Sequence, residues 1–418
     1  HRVWLDGRIK MNDAKASLTL QFHPVCFIEI HMNPKLANRL QHTQTFHAME
    51  VFKRTQALQA QGHDIISLGI GEPDFTAAPA VVQALNKAAD QGLGKYSAAA
   101  GIWPLRQAIA RFYGDTLGAP VDPERVVVTN GASGALLLTS LALINPGQNV
   151  LMPDPCYPAN ANFIMAAGGT TRLLRTEAAQ RFQPTAQDIE QHWTDQTAGI
   201  LIASPGNPTG TSIEPQQLKS IIDTVHRLEG FVMMDEIYLG LSYRERRQSA
   251  LALDDNLIIL NSFSKYFHMT GWRLGWMIVP PDLVAPIEKL ASSLMICPPT
   301  LAQHGAVACF ESQTLDLFEH RREAFRTRRD YLVGALESIG FEVPAKPDGA
   351  FYVYADISRF SNDSNQFVDT LLNEAGVALV PGIDFGPNHA KTHVRLAYTV
   401  GLNRLEQAIE RMDRLLNS

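Results

Sequence analysis

The sequence predicts an α/β protein with a mostly parallel central sheet, because short apolar segments alternate with helical patterns through the middle of the chain. Four such segments, at residues 125–129, 149–152, 198–202 and 231–234, have the length of buried strands. Continuous apolar runs of this kind are typical of parallel strands that are covered on both faces. Long helical patterns after residue 280 predict a second, smaller unit of mixed helices and strands.

The remaining elements follow in order along the chain. Further strands are expected at residues 65–68, 257–260, 351–354 and 393–398. Helices are expected at residues 34–62, 80–90, 104–113, 131–143, 214–228, 281–290, 301–313 and 316–338. The most apolar of these, at 135–144, is shorter than the roughly 20 residues that a bilayer requires, so we expect it to be a buried core helix.

Polar side chains stand at the ends of three of the apolar segments. Asn207 follows one segment, Asp235 ends the next, and Lys265 lies just beyond a third, with gaps of 28 and 30 residues. Each gap is close to the roughly 30 residues of a strand–helix–strand crossover. Parallel strands that are joined in this way place their carboxyl ends at one edge of the sheet. We therefore expect the three residues to converge there.

Lys265 is an unusual residue to find immediately after a buried strand. Lysine is strongly hydrated, and burial shifts it toward the neutral amine, which is the form that makes a Schiff base with an aldehyde cofactor. Arg273 adds a fixed cation that can hold a phosphate through paired hydrogen bonds. A surface lysine and a structural arginine also fit this segment. Asp235 likewise fits a strand-end acid that caps the next turn.

A glycine-containing turn and a loop tyrosine are further candidates for ligand contacts. The turn at residues 130–134 opens a helix, and its backbone amides and the helix dipole favour an anion such as phosphate. Tyr157 lies on a proline-stiffened loop and can stack on a flat heteroaromatic ring. Both features also have plain structural explanations, because strand–glycine–helix turns and tyrosines that cover the core are common.

The composition is ordinary for a globular enzyme, with 45% hydrophobic and 19% charged residues. A formal net charge of −6 gives no reason to expect a nucleic acid as the main partner. The four cysteines are scattered and form no C-x-x-C pair, which argues against a disulfide framework and against a metal site of the zinc type. That pattern favours a reducing compartment, so we expect a cytoplasmic protein. We expect no membrane partner, because no apolar run approaches the roughly 20 residues that span a bilayer.

Residues 1–31 differ from the rest of the chain. They carry several charges and one short apolar run at 25–28, which is too short for the apolar region of a signal peptide. We expect them to be a non-native or disordered extension. An arm that packs on a partner subunit is the alternative.

The motifs together resemble those of class I aminotransferases of fold type I, which use pyridoxal 5′-phosphate, and especially their prokaryotic aspartate and aromatic branch. The matching segments are G-E-P-D-F at 71–75, N-P-T-G at 207–210, S-x-S-K at 262–265, G-W-R at 271–273 and V-R-L at 394–396. The resemblance implies a three-layer α/β/α large domain at residues 78–311. It also implies a smaller, discontinuous α+β domain made of residues 32–77 and 312–418.

The resemblance implies a role for each residue near the cofactor ring. Lys265 makes the Schiff base with the cofactor and then moves the proton between the substrate Cα and the cofactor carbon. Asp235 keeps the pyridine nitrogen protonated, so that the ring withdraws electrons. Asn207 and Tyr238 hydrogen-bond to the ring phenolate, and Tyr157 stacks on the ring. The implied catalytic set is therefore Lys265, Asp235 and Tyr238.

The resemblance also implies the phosphate and substrate contacts. The residues expected around the cofactor phosphate are Gly131, Ala132, Ser133, Ser262, Arg273 and the partner subunit's Tyr96. This crossing tyrosine, in the segment 95–101, implies a homodimer. The residues expected to bind substrate are Gly71, Asn207 and Arg395, the last through a fork-shaped pair of hydrogen bonds to the α-carboxylate.

The reaction implied is reversible exchange of an amino group between an L-amino acid and a 2-oxo acid. In some bacterial aspartate aminotransferases, a lysine at the position of Ser133 helps to bind the far carboxylate of the substrate. The loop at 292–300 is also free of arginine and lysine. We therefore expect substrates with neutral, hydrophobic or aromatic side chains.

Two alternatives share this fold. Carbon–sulfur lyases use the same lysine, and some transcription regulators carry a non-catalytic domain that resembles an aminotransferase. The regulator would need a DNA-binding module, and the residues before the resemblance are too few to form one.

Overall fold

The computed structural model describes residues 36–41 and 47–417. The predicted extension at residues 1–31 lies outside the described residues. In the short first segment, Asn38–Gln41 form a 3₁₀ turn. The strands of the second segment are β1 (Ile66–Ser67), β2 (Val126–Thr129), β3 (Asn149–Asp154), β4 (Thr170–Arg175), β5 (Thr197–Ala203), β6 (Phe231–Asp235), β7 (Ile258–Ser262), β8 (Gly275–Ile278), β9 (Tyr352–Asp356), β10 (Val377–Ala378), β11 (Val380–Pro381) and β12 (His393–Ala397).

Helices alternate with these strands. They are α1 (His47–Ala60), α2 (Pro79–Asp90), α3 (Trp103–Leu117), α4 (Gly131–Leu143), α5 (Ala159–Ala166), α6 (Ala186–His192), α7 (Pro215–Arg227), α8 (Pro281–Leu294), α9 (Thr300–Val307), α10 (Ser312–Ser338), α11 (Ser364–Thr370) and α12 (Leu402–Leu416). Within residues 36–41 and 47–417, no helix is both long enough and apolar enough to cross a membrane.

A seven-stranded sheet in the order β2-β8-β7-β6-β5-β3-β4 forms the centre of the fold. Alternate residues of its strands belong to two different hydrophobic clusters. In β6, for example, Val232 and Met234 lie in one cluster, and Met233 lies in the other. Side chains of a strand point alternately to its two faces, so the sheet is buried on both faces between layers of helices. This arrangement confirms the predicted three-layer α/β fold with a mostly parallel sheet.

The connection between β6 and β7 corrects one expectation. The gap between Asp235 and Lys265 predicted a helical crossover, but residues 236–257 contain only two 3₁₀ turns, at Leu239–Leu241 and Ala250–Ala252. The two strands are nevertheless parallel neighbours. A chain of this length can return along the sheet without a helix, because buried apolar side chains such as Leu241 and Leu251 anchor the turns on the core.

Strand β8 was not predicted from the sequence, and one helix ends earlier than its apolar pattern predicted. β8 runs antiparallel to both β2 and β7 and follows Arg273 after one residue. The helix that was expected at 301–313 ends instead at Val307, and a 3₁₀ turn at Ala308–Phe310 separates it from the 27-residue helix α10. The apolar periodicity continues through this break, because Ala308 and Cys309 are buried.

Two smaller sheets involve the carboxyl-terminal part of the chain. β9, β11 and β12 form an antiparallel sheet in the order β11-β12-β9. β1 pairs in parallel with β10 through Ile66 and Val377. The segment that precedes the large sheet in sequence therefore packs with the segment that follows it.

We predict that Ile200→Ala strongly destabilises the fold. Ile200 is fully buried in β5 at the centre of the sheet, and truncation of such a side chain typically lowers the free energy of unfolding by about 2–5 kcal/mol. Urea unfolding of the cofactor-free protein, followed by circular dichroism, measures the loss. Leu402→Ala, at a half-exposed position, is the control and should change the free energy by less than about 1 kcal/mol. Equal losses of unfolding free energy in both variants would contradict the burial of Ile200 in the core.

Candidate active site

A cavity of about 260 Å³ lies at the carboxyl ends of β5, β6 and β7, where Ala203, Asp235 and Ser262 line it. Parallel pairing sets Ala203 beside Asp235 and Asp235 beside Leu260, two residues before Ser262, so the three strands carry their carboxyl ends to the same edge, as the spacing predicted. Most of the predicted site residues line this cavity, namely Gly71, Ala132, Ser133, Tyr157, Asn207, Asp235, Tyr238, Ser262, Lys265, Arg273 and Arg395. The structure therefore brings together residues from both ends of the chain.

Two predicted residues do not line the cavity. Gly131 lies directly beside it, since a Cβ built on this residue would be 2.8 Å from Nη2 of Arg273. Tyr96 lies outside it, and 80% of its surface is exposed in the single chain. An exposed tyrosine contributes nothing to the cavity of its own chain.

Lys265 follows β7 by three residues and enters the cavity. Its Nζ donates a hydrogen bond to the carbonyl oxygen of Gly71 at 2.5 Å. Burial, and then the charge of Arg395, lower the pKa of the Lys265 amine to about 8. An appreciable fraction of the amine is therefore neutral near physiological pH, and only the neutral form is a nucleophile.

Asp235 is the last residue of β6, and its carboxyl group is buried. Its Oδ1 accepts a hydrogen bond from the backbone N–H of Ile237 at 3.0 Å. Burial raises the pKa of Asp235 to about 6, and the hydrogen bond from Ile237 and then the charge of Lys265 only partly oppose this rise. A cationic nitrogen placed against the carboxyl group would stabilise the carboxylate and lower the pKa again.

The first turn of α4 and Arg273 form a cradle for an anion. Gly131 has a φ of +69°, and Ala132 and Ser133 follow it at the helix N-terminus, where free amides and the helix dipole attract negative charge. Nη1 of Arg273 donates to the carbonyl oxygen of Thr270 at 2.9 Å, which holds the guanidinium beside this turn. The Oγ of Ser262 accepts a hydrogen bond from the backbone N–H of Ser264 at 3.0 Å.

Arg395 is a buried cation on β12 that faces the cavity. Nη1 donates to Oδ1 of Asn207 at 3.0 Å, and Nη2 donates to the carbonyl oxygen of Gly69 at 2.6 Å. Both acceptors are neutral, and the buried Nε has no hydrogen-bond partner. The guanidinium charge is therefore not neutralised by these contacts, and an anionic ligand can be bound there.

Tyr352 and Thr270 also line the cavity, although the sequence analysis did not select them. The hydroxyl of Tyr352 lies 2.9 Å from that of Tyr238. The apolar pattern at residues 351–354 predicted a strand, but it did not indicate which of its two tyrosines faces the site. The two tyrosines are two residues apart and therefore lie on the same face of β9. Their positions along the strand separate them: Tyr354 is aligned with Arg395 and Tyr352 with Ala397, and of the two only Tyr352 lines the cavity.

The chemistry of the cavity fits pyridoxal 5′-phosphate. Among the described residues that line it, Lys265, Arg273 and Arg395 are basic, and Asp235 is the acidic residue. This excess of positive charge suits two anionic groups, a phosphate at the α4 cradle and a carboxylate at Arg395. Within residues 36–41 and 47–417, no group of three His, Cys, Asp or Glu side chains is arranged to hold a metal ion.

Comparison with known proteins agrees with this chemistry. The family model described as aminotransferase class I and II matches residues 63–412. The valine–pyruvate aminotransferase of Mycobacterium tuberculosis is 37% identical over 375 residues, which cover 89% of this chain and 96% of that protein. A crystal structure of an aminotransferase from Mycobacterium tuberculosis is similar with a TM-score of 0.89 and 36% identity, covering 92% of this chain and 100% of the other. The aspartate aminotransferase of Thermus thermophilus with maleate has a TM-score of 0.87 and 32% identity, with the same coverage.

We predict that Lys265 in the cofactor-free protein reacts with an amine reagent with a midpoint near pH 8, because the neutral amine is the reactive form and its pKa is lowered to about 8. Competitive acetylation followed by peptide mass spectrometry measures this midpoint. Arg395→Gln removes a nearby positive charge, so it should move the midpoint to higher pH. An unchanged midpoint in that variant would contradict the electrostatic coupling.

Proposed function

The chain belongs to the class I and II aminotransferase family, and from this premise we propose that it prefers L-amino acids with neutral, hydrophobic or aromatic side chains. It is a pyridoxal-phosphate-dependent aminotransferase that acts on amino-acid and 2-oxo-acid substrates. The relatives reported above are aminotransferases, which supports amino transfer over the carbon–sulfur lyase alternative.

The observation that carries the substrate preference is the distribution of charge in the cavity. The three basic residues among its described lining each have another partner in this proposal: Lys265 holds the cofactor, Arg273 its phosphate, and Arg395 the substrate α-carboxylate. No basic residue of this lining remains for a second carboxylate. The lining also includes the apolar side chains of Met49 and Ile70. A neutral side chain is therefore favoured over an acidic one.

The bound cofactor supplies an aldehyde and an electron-withdrawing ring, which stabilises negative charge at the substrate Cα. Lys265, the amine in the cavity, would hold this aldehyde when the cofactor is bound. The Nζ of Lys265, whose pKa of about 8 is low for a lysine, would serve as the base and acid that moves the proton between the substrate Cα and the cofactor carbon. The carbonyl of Gly71, which accepts a hydrogen bond from Nζ, orients the amine at the start of this sequence.

We propose the other cofactor contacts from the family resemblance, and the presence of these side chains in the cavity supports them. Asp235 would hold the ring nitrogen, and that cation would restore the carboxylate that burial disfavours. Tyr238 and Asn207, which line the cavity, would hydrogen-bond to the ring oxygen, and Tyr157 would stack on the ring. Arg395 and the amide of Gly71 bind the substrate α-carboxylate, with Asn207 beside the guanidinium.

We also propose that the phosphate is bound by Arg273, by Ser262 and by the α4 turn at residues 131–133. The partner subunit's Tyr96 completes this cradle in a homodimer. The high exposure of Tyr96 in the single chain supports this assignment.

The domain boundaries and the compartment are proposals as well. The pairing of β1 with β10 supports a small domain made of residues 32–77 and 312–418, beside a large domain at 78–311. The three described cysteines are free thiols, and this supports a reducing compartment such as the cytoplasm.

The substrate preference is tested by mixing the purified, cofactor-bound protein with single amino acids and following the absorbance of the cofactor as it changes from aldehyde to amine. Valine, leucine, alanine and phenylalanine should give kcat/KM values at least about tenfold above that of aspartate, because an unpaired buried carboxylate costs more than 1.4 kcal/mol. Lys265→Ala should give no conversion. A preference for aspartate would overturn the proposal.

We predict that mixing two impaired variants restores aminotransferase activity if Tyr96 crosses the dimer interface. A heterodimer of Tyr96→Phe with Lys265→Ala has one site with both Lys265 and the partner subunit's Tyr96. Mixing equal amounts should give roughly one quarter of wild-type activity at limiting cofactor. Arg395→Leu mixed with Lys265→Ala is the control, since both residues belong to the same chain's site, and it should show no restoration. Equal behaviour of the two mixtures would refute the crossing.

A further inference from the structure

Tyr352 has no role in the assignments above, although it touches several residues that do. It is the first residue of β9, is 1% exposed and lines the cavity. Its hydroxyl lies beside Tyr238 and Gly71, and its ring lies against Arg395. One side chain therefore touches a residue assigned to the cofactor ring and two assigned to the substrate carboxylate.

The hydroxyl groups of Tyr352 and Tyr238 are 2.9 Å apart, and geometry allows either one to donate. Burial raises the pKa values of both phenols, so each keeps its single proton at neutral pH. If Tyr238 donates that proton to the cofactor ring oxygen, it has none left for its neighbour. Tyr352 must then be the donor, and Tyr238 the acceptor, in the bond that joins them.

A hydrogen bond accepted by a hydroxyl makes that hydroxyl a stronger donor, especially in a buried chain of such bonds. Donation from Tyr352 therefore strengthens the bond from Tyr238 to the ring oxygen. A stronger bond to that oxygen stabilises its anionic form. The consequence is measurable, because the bound chromophore then loses its proton at a lower pH.

The position of the hydroxyl also explains the need for glycine at residue 71. A Cβ built on Gly71 would overlap the oxygen of Tyr352. The carbonyl oxygen of the same glycine accepts the hydrogen bond from Nζ of Lys265. Gly71, whose carbonyl orients the Lys265 amine, therefore packs directly against the hydroxyl of Tyr352. No space remains between them for another atom.

The ring of Tyr352 has a separate contact with Arg395. The guanidinium carbon lies 4.4 Å from the ring centroid, and the ring of Phe385 lies 5.0 Å from it. Aromatic faces hold a buried cation without using its N–H donors or neutralising its charge. A carboxylate in the same place would compete with the substrate. The ring therefore supports the guanidinium and leaves it able to bind an anion.

We propose that Tyr352 is a positioning residue with two separable actions: its hydroxyl donates to Tyr238, and its ring holds Arg395 for the substrate α-carboxylate. This inference rests on the proposed roles of Tyr238 and Arg395, and it is independent of which amino acid is the preferred substrate.

The two actions are separated by two substitutions in the cofactor-bound protein. Tyr352→Phe removes the hydroxyl and keeps the ring, so the pKa of the bound chromophore, measured by absorbance titration, should rise by roughly 0.5 to 1. KM for the best amino acid should change by less than about twofold. Tyr352→Leu removes the ring too, and it should also raise KM by about 5- to 30-fold.

A matched control is available on the same strand. Tyr354 is equally buried, but its hydroxyl has no hydrogen-bond partner. Tyr354→Phe should therefore leave both the chromophore pKa and KM unchanged. Circular dichroism of each variant verifies that the fold is retained.

A double variant tests whether Tyr352 acts through Tyr238. Tyr238→Phe should raise the chromophore pKa by itself, and adding Tyr352→Phe should then produce no further rise. Two outcomes overturn the inference: a Tyr352→Phe protein that titrates as the wild type does, or a shift that persists undiminished in the Tyr238→Phe background. A wild-type protein that prefers aspartate would contradict the substrate proposal alone, because the titration needs no substrate.

Discussion

The register of three parallel strands is the constraint on which the rest of the site depends. Ala203 pairs with Asp235, and Asp235 pairs with Leu260, so β5 and β6 end at one level and β7 continues two residues further, to Ser262. The strands are buried on both faces, so their middle residues are apolar, and the polar side chains lie at or just beyond the carboxyl ends, as Asp235, Ser262 and Lys265 do. Because the three strands end at the same edge, Asn207, Asp235 and Lys265 all line one cavity, although each has a different chemistry.

Burial at this edge acts in opposite directions on the acid and the base. It lowers the pKa of Lys265 to about 8 and raises that of Asp235 to about 6, because removal from water disfavours whichever form is charged. The amine is thereby prepared to react with an aldehyde. The carboxyl group of Asp235 would lose its proton when a cationic ring nitrogen is placed against it. Arg395 contributes to the lowered pKa of Lys265, and this links the substrate site to the reactive amine.

Aromatic contacts hold the cationic part of the site in place. Arg395 lies against the rings of Tyr352 and Phe385, and its hydrogen bonds go to neutral oxygens. An ion pair with a protein carboxylate would have held the guanidinium more strongly, but it would have cancelled the charge that an incoming carboxylate requires. The aromatic rings of Tyr352 and Phe385 therefore hold the guanidinium in place and leave its charge available for the substrate.

The order and type of the residues in the motifs were sufficient to predict the α/β fold, the edge of the sheet that carries the site and most of the cavity lining. The helix-free return from β6 to β7, the antiparallel strand β8 and the break between α9 and α10 were not predictable in the same way. Apolar periodicity reports burial, and it does not report whether a buried segment is helix, strand or turn. Only the tertiary structure decided that the hydroxyl of Tyr352 meets Tyr238 and its ring meets the Arg395 guanidinium, while Tyr354, on the same face of β9, packs against Phe182 and Phe385. These contacts depend on packing between segments far apart in sequence, which a local pattern does not report.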